Sequence, residues 1–220
     1  MMYIAIEGVI GVGKTTLARL LQPAFQSALV LEVFEENPFL SDFYSDRQRY
    51  AFQTQIFFLL SRYYQQRRSV PEILKRGEAL ITDYTFAKDA LFARINLAGD
   101  ELEMYYRVHT ALAEKIPLPT LIVYMRADID VLMQRIASRD LPYERNMERD
   151  YIDQLIQAYD DFFINNQARN LGGNVTVLTL DTNELDYVRK GEDLRSVENR
   201  IRQTLKQVPF QAALPLMDEL

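Results

Sequence analysis

Gly8-Val9-Ile10-Gly11-Val12-Gly13-Lys14-Thr15 follows the apolar run Tyr3–Glu7 and precedes a segment that places Leu17, Leu20 and Leu21 on one helix face. The spacing is G-x-x-x-x-G-K-[ST] between a strand and a helix, the arrangement in which a glycine-rich turn cradles phosphate. Its glycines let successive N–H groups point inward at a helix N-terminus, which makes an anion nest. Gly8, Gly11 and Gly13 therefore shape the loop and Lys14 reaches toward the β- and γ-phosphates. Thr15 offers its hydroxyl to one Mg²⁺ position, and Thr16 follows as a further nucleotide contact. ATP with Mg²⁺ is the expected ligand. The loop alone does not name the group that receives the phosphate.

Outward from the loop, short apolar and β-branched runs alternate with helix-like stretches. Strands are expected at Tyr3–Glu7, Leu29–Val33, Ala79–Asp83, Leu121–Met125 and Val175–Leu180. They lack strict alternation, as parallel strands buried on both faces do. Helices are expected at Lys14–Phe25, Arg47–Gln66, Asp100–Lys115, Ile129–Ser138, Arg149–Gln167 and Leu194–Lys206. This alternation predicts right-handed crossovers and an α/β fold: a five-stranded parallel sheet with helices on both faces. Gly172-Gly173-Asn174 reads as a turn before the last strand. Residues 1–206 read as one domain, followed by a tail from Gln207 to Leu220.

The 220-residue chain has 48% hydrophobic and 25% charged residues, ordinary for a globular protein with a sizeable core. A formal charge of −6 argues against a nucleic-acid coat or a basic membrane binder, but not against a small anion held by local positive charge. With no cysteine, disulfides and thiolate metal sites are excluded. Glu7 interrupts the apolar start, no basic leader precedes it, and no apolar stretch approaches the roughly 20 residues needed to span a bilayer. A soluble cytoplasmic protein is expected.

In open α/β sheets the ligand sits beyond the carboxyl ends of the strands. Glu32 stands near the end of the second expected strand and Asp83 closes the third. A kinase acting on a hydroxyl needs a carboxylate to take the proton and another on the metal side, and these are the candidates for the two roles. Glu35, Glu36 and Asp42 read as a charged loop. Arg135 and Arg139 lie four apart on one helix face, able to approach a triphosphate together. Pro142 then stops the helix, so that residues from about 139 to 148 form a short lid over the phosphates. His109, the sole histidine, sits in a polar helical segment and reads as surface.

Beyond the loop, several stretches resemble the deoxynucleoside kinases, especially their bacterial deoxyadenosine/deoxyguanosine branch. They are Glu32, Glu36-Asn37-Pro38-Phe39-Leu40, Tyr44, Arg49 to Gln55, Arg62, Asp83, Lys88 to Ala93, Arg135, Arg139, Glu144 and Leu180 to Val188. The resemblance spans Tyr3 to about Lys206. It implies that Glu32 is the general base at a 5′-hydroxyl and that Gln55 pairs with the nucleobase edge, while Arg62 and Asp89 frame its far side. It also implies that Tyr44 and Glu144 hold the sugar 3′-hydroxyl. Arg135 and Arg139 would be lid arginines on the donor phosphates, and the loop with Asp186 would border adenine. A homodimer through the long second and third helices, and a place in nucleotide salvage, belong to the same implication.

The sequence departs from the resemblance at one point. Most members follow the third-strand acid with Arg-Ser, whereas Asp83 precedes Tyr84-Thr85, so Lys88 or a lid arginine is expected to supply the missing cation. Two other readings bear on the same loop. A thymidylate kinase would need that family's Arg-Glu-Pro after the second strand and Asp-Arg after the third, which this sequence lacks. A non-catalytic nucleotide-binding subunit draws its support from Tyr84, against the retention of Lys14, Thr15, Glu32 and Asp83.

Overall fold

The computed structural model describes residues 2–165 and 175–206. In chain order its elements are β1 (Tyr3–Gly8), α1 (Lys14–Phe25), β2 (Ser27–Val30), a 3-10 turn at Phe34–Glu36, α2 (Leu40–Ser45), α3 (Arg47–Lys75) and β3 (Ala79–Thr82). They continue with α4 (Ala87–Asn96), α5 (Gly99–Ala113), β4 (Leu121–Arg126), α6 (Ile129–Arg139), a 3-10 turn at Pro142–Glu144, α7 (Arg149–Phe163), β5 (Thr176–Asp181) and α8 (Gly191–Thr204).

The five strands form one parallel sheet in the order β2-β3-β1-β4-β5. All six residues of β1 are buried, so both faces of the central strand are covered. That is why its sequence runs apolar without alternating. The order reverses beside β1, which sends the chain to β3 on one side and β4 on the other. The crevice beyond their carboxyl ends is the ligand position for such a sheet.

Where β1 ends the chain must turn sharply against β4. Gly8 sits at φ +149°, and a Cβ there would stand 2.5 Å from the carbonyl oxygen of Met125. Only glycine permits this approach. Gly13, at φ +99°, leads directly into α1, whose Leu17, Ala18, Leu21 and Phe25 face the core.

Some expected boundaries shift. β2 ends at Val30, not Val33, because it is an edge strand with β3 as its one partner, and Glu32 beyond it is held by a side chain. α3 runs on to Lys75 through Pro71, nine residues past the expected end. Leu59, Tyr63, Gln66, Val70 and Ile73 continue the buried spacing of three and four, and that packing sustains the helix. α2 and α4 are short helices that the sequence reading did not anticipate. α7 ends at Phe163, and Asn166 and Gln167, the Gly172-Gly173-Asn174 turn and the tail from Gln207 lie outside the described residues. Asp42 belongs to α2 rather than to a loop. Among the described residues no helix is long and apolar enough to cross a membrane.

Candidate active site

Two clefts meet at the phosphate loop. One, of about 760 Å³, is walled by Gly11 to Thr16, by Arg135 and Arg139 of α6, and by Asn183 to Arg189. The other, about 100 Å³, lies toward α2, α3 and α4, where Glu32, Tyr44, Gln55, Arg62, Lys88 and Glu144 line it. Gly11, Lys14, Thr15 and Arg139 border both. A donor and an acceptor placed in the two would meet at the loop.

On the donor side, the Lys14 ammonium donates to the carbonyl oxygens of Gly8 (2.7 Å) and Val9 (3.2 Å). Burial, then the like charge of Lys88, pulls the Lys14 pKa down to about 8 against Glu7, Glu32 and Asp83. The Thr15 hydroxyl donates to Asp83 Oδ2, while Asp83 Oδ1 accepts the Glu32 N–H at 2.7 Å. Thr16 is exposed on the same rim. Thr15 and Asp83 thus form an adjacent hydroxyl and carboxylate. That hard-oxygen pair suits Mg²⁺, which keeps several waters and takes few protein ligands beside the phosphates. Among the described residues no cluster of three or more His, Cys, Asp or Glu could hold a metal ion.

Arg135 turns inward. Its Nη2 donates to the Thr182 carbonyl oxygen (2.7 Å), and its Nη1 donates to Thr182 Oγ1 (3.1 Å) and the Val12 carbonyl oxygen (3.3 Å). It fastens the phosphate loop to the segment after β5. Arg139, one turn further along α6, forks onto both oxygens of Glu144. Asp186 lines the donor cleft and accepts the Arg189 N–H through its side chain (3.1 Å), which shapes the turn there.

On the acceptor side, Glu32 lies just past β2 with both oxygens engaged. Oε1 accepts from Arg62 Nε (3.0 Å) and Nη2 (2.5 Å), and Oε2 from Lys88 Nζ (2.6 Å). Burial by itself would raise the Glu32 pKa. The charges of Lys88 and Arg62 and their hydrogen bonds outweigh it and hold the carboxyl well below the usual carboxylate range. Arg62 also pairs with Asp89 and lies over the Phe58 ring at 4.5 Å.

Gln55 and Arg62 do share one face of α3, but it is interior rather than polar surface: they are 2% and 5% exposed. Gln55 Oε1 and Asp89 Oδ2 have no hydrogen-bond partner among the described residues. Tyr44 stacks on Tyr143 across the mouth, ring centroids 6.0 Å apart, and Glu144 is buried beside it. Most of the residues expected from the sequence line the two clefts, whereas Gly8, Asp83 and Asp89 do not and touch cleft residues Lys14, Thr15 and Arg62 instead.

Three side chains behave differently from the sequence reading. Tyr84 is fully buried, and its hydroxyl donates to Gln65, whose amide in turn donates to the Leu31 carbonyl oxygen (2.8 Å). It is a core residue outside both clefts and stands in for no cation there. His109 is not plain surface: it stacks on Phe86 at 4.8 Å, with its Nε2 3.2 Å from the Phe86 carbonyl oxygen. Glu7 went unassigned, yet its buried carboxylate accepts from the Gly8 N–H, the Thr85 N–H and hydroxyl, and the Tyr159 hydroxyl. Burial raises its pKa against Lys88, Lys14 and the Thr85 bonds. The available signal was a lone charge inside an apolar strand immediately before the loop.

A sequence profile of the deoxynucleoside kinases matches residues 4–206. The deoxyguanosine kinase of Bacillus subtilis (strain 168) is 34% identical over 203 residues, 92% of this chain and 97% of that protein. The deoxyadenosine kinase of Dictyostelium discoideum is 32% identical over 73% of this chain and 66% of its own length. Among solved structures, the deoxyadenosine kinase from M. mycoides with bound dCTP superposes with a TM-score of 0.76 at 23% identity, covering 92% of this chain and all of that one. That likeness carries the fold.

Proposed function

The chain belongs to the deoxynucleoside kinase family, an ATP-dependent phosphotransferase, and within that family we propose that it phosphorylates the 5′-hydroxyl of deoxyadenosine or deoxyguanosine, with deoxycytidine as the next candidate. The observation that carries this reading is the position of Glu32. Its carboxylate stands where the acceptor cleft meets Lys14 and Thr15.

The step is a direct in-line transfer. Glu32 takes the proton of the 5′-hydroxyl as the 5′-oxygen bonds to the γ-phosphorus and the bond to the β–γ bridging oxygen breaks, releasing ADP. Lys14, Arg135 and Arg139 offset charge on the donor phosphates. Mg²⁺ at Thr15 and Asp83 would supply further charge neutralisation when bound. Gly8, Gly11, Gly13 and Thr16 shape the donor site, and the Asp186 turn borders the adenine.

At the other end, Gln55 and the Arg62–Asp89 pair read the base. Gln55 Oε1 lines the cleft with no hydrogen-bond partner among the described residues, which favours a base edge that presents an amino N–H, as adenine, guanine and cytosine do. The purine preference follows the relatives named above. Tyr44 and Glu144 hold the sugar 3′-hydroxyl. At about 100 Å³ the acceptor cleft is below the roughly 300–1,000 Å³ of ligand pockets, so its Tyr44–Tyr143 and Arg139–Glu144 cover must open. That makes residues of about 139–148 the lid of a single domain spanning 1–206.

Exposed Leu60 and Tyr64 on α3 and Met104 on α5 favour a homodimer through those helices, and the setting is cytoplasmic nucleotide salvage. The test is ADP release from Mg²⁺-ATP with each of the four deoxynucleosides and thymidine monophosphate. Turnover confined to purine deoxynucleosides, or shared with deoxycytidine, is the expected result. Turnover with the monophosphate alone would contradict it.

A further inference from the structure

The two oxygens of Glu32 are held by cations of different freedom. Arg62 is fixed from three directions: by Glu32, by the buried Asp89 and by the Phe58 ring. Among the described residues Lys88 has one carboxylate partner, Glu32, and its four-carbon stem emerges from the first turn of α4 with the ammonium 5.4 Å from the Phe92 ring. It is 6% exposed and lines the acceptor cleft with Lys14 and Thr15. When a hydroxyl arrives to give its proton to Glu32, one of the two cations must yield space at the carboxylate. Arg62 is locked and Lys88 is not.

We propose that Lys88 is a further catalytic residue, a cation that leaves Glu32 Oε2 as the 5′-hydroxyl takes that place and donates instead to the oxygens of the transferring γ-phosphoryl group. The assignment rests on the reading of Glu32 as the base. The 5′-hydroxyl proton passes to Oε2, the 5′-oxygen bonds to phosphorus, and the electron pair of the broken bond leaves with ADP. Lys88 stays an ammonium throughout. A compact charge on a flexible stem with three donors suits such a two-position role better than a guanidinium fork does.

The surroundings agree. Around Glu32 stand Arg62 from α3, Lys88 from α4, Lys14 from α1, Asp83 after β3 and Glu7 from β1, with the Tyr84 and Tyr159 hydroxyls further out. Of the two cations on Glu32, Arg62 has a second carboxylate partner in Asp89, and among the described residues Lys88 has none.

The experiment compares Lys88→Ala, Lys88→Met and Lys88→Arg with the wild type, each checked for folding by thermal melting. Lys88→Met serves if the alanine variant does not fold. The expected result is a fall in kcat of about 10²–10³-fold, the size seen when one donor to a developing charge is removed, with KM for ATP and deoxynucleoside within about threefold. Lys88→Arg recovers part of kcat. Ethylammonium raises the kcat of Lys88→Ala but not of wild type, which a merely structural lysine would not allow. Calorimetry gives a second reading. Mg-ADP with fluoroaluminate and deoxynucleoside binds more weakly to the variant, by the same fold as kcat falls, while a non-hydrolysable ATP analogue binds unchanged. A kcat within threefold of wild type, a rise in KM alone, or loss of kcat without amine rescue would overturn the assignment. A wild type inactive on every deoxynucleoside overturns instead the reading of Glu32 beneath it.

Discussion

The guanidinium of Arg62 grips one oxygen of Glu32 through two nitrogens, Nε at 3.0 Å and Nη2 at 2.5 Å, and its remaining arm holds Asp89. One buried cation therefore ties Glu32, which lines the acceptor cleft, to Asp89, which is buried behind it.

Removing that cation leaves the buried Asp89 uncompensated and Glu32 with Lys88 alone. Arg62→Ala is expected to cost about 3–5 kcal/mol, the usual penalty for breaking a buried pair from one side. In a chain of this size that lowers Tm by roughly 6–20 °C. Thermal melting of the variant beside Arg62→Lys checks it, with the lysine intermediate because it can meet one carboxylate but not both.

Arg139 is 40% exposed at its side chain and pairs with a buried Glu144 over the mouth of the cleft. Arg139→Ala should lower kcat by about 10–100-fold, as loss of a charge-stabilising lid contact does, while moving Tm far less than Arg62→Ala. Glu144→Gln should raise KM for the deoxynucleoside more than KM for ATP. Steady-state kinetics with each substrate varied in turn separates the two.

Thr15 and Asp83 touch each other beside the phosphate loop. Thr15→Ala and Asp83→Asn should each raise the Mg²⁺ concentration for half-maximal activity by about tenfold or more, because each removes a hard oxygen from the metal side. Mg²⁺ titrations of turnover at fixed ATP measure it.

Burial pushes the Tyr3 and Tyr151 hydroxyls up to about 12, against their hydrogen bonds to Thr82 and Asn96. The folded protein keeps these protons at a pH where the unfolded chain has lost them, so stability is full below pH 10 and falls as pH rises from about 10 to 12. Each phenol contributes about 2–3 kcal/mol of that loss at 1.36 kcal/mol per pH unit. Denaturant unfolding at pH 8, 10 and 11 should show the decline, less steep in Tyr3→Phe.

Much of this was legible in the sequence because it is local. The phosphate loop is eight consecutive residues between an apolar strand and a helix, and α1 begins and ends where its leucines and the loop place it. Helical spacing set Arg135 and Arg139 one turn apart on α6, but not their partners, Val12 and Thr182 for the one and Glu144 for the other. Glu32 was placed too far inside a strand, because an edge strand with one partner ends where its last neighbour does, and apolar content cannot show that. α4 was missed because its buried positions include Lys88 and Asp89, so the interior face reads as surface. The sequence could offer Lys88 as a stand-in cation but could not place it on Glu32, because the two are 56 residues apart and meet only when β2, β3 and α4 are assembled.

The proposed transfer turns on Glu32 accepting the 5′-hydroxyl proton of a deoxynucleoside. Single-turnover transfer from Mg²⁺-ATP to deoxyadenosine and deoxyguanosine, in the wild type and in Glu32→Gln, tests it most directly. The glutamine variant is expected to bind both substrates within a few-fold of wild type and to slow the chemical step by about 10²–10⁴-fold. A glutamine variant that transfers phosphate at the wild-type rate would contradict it.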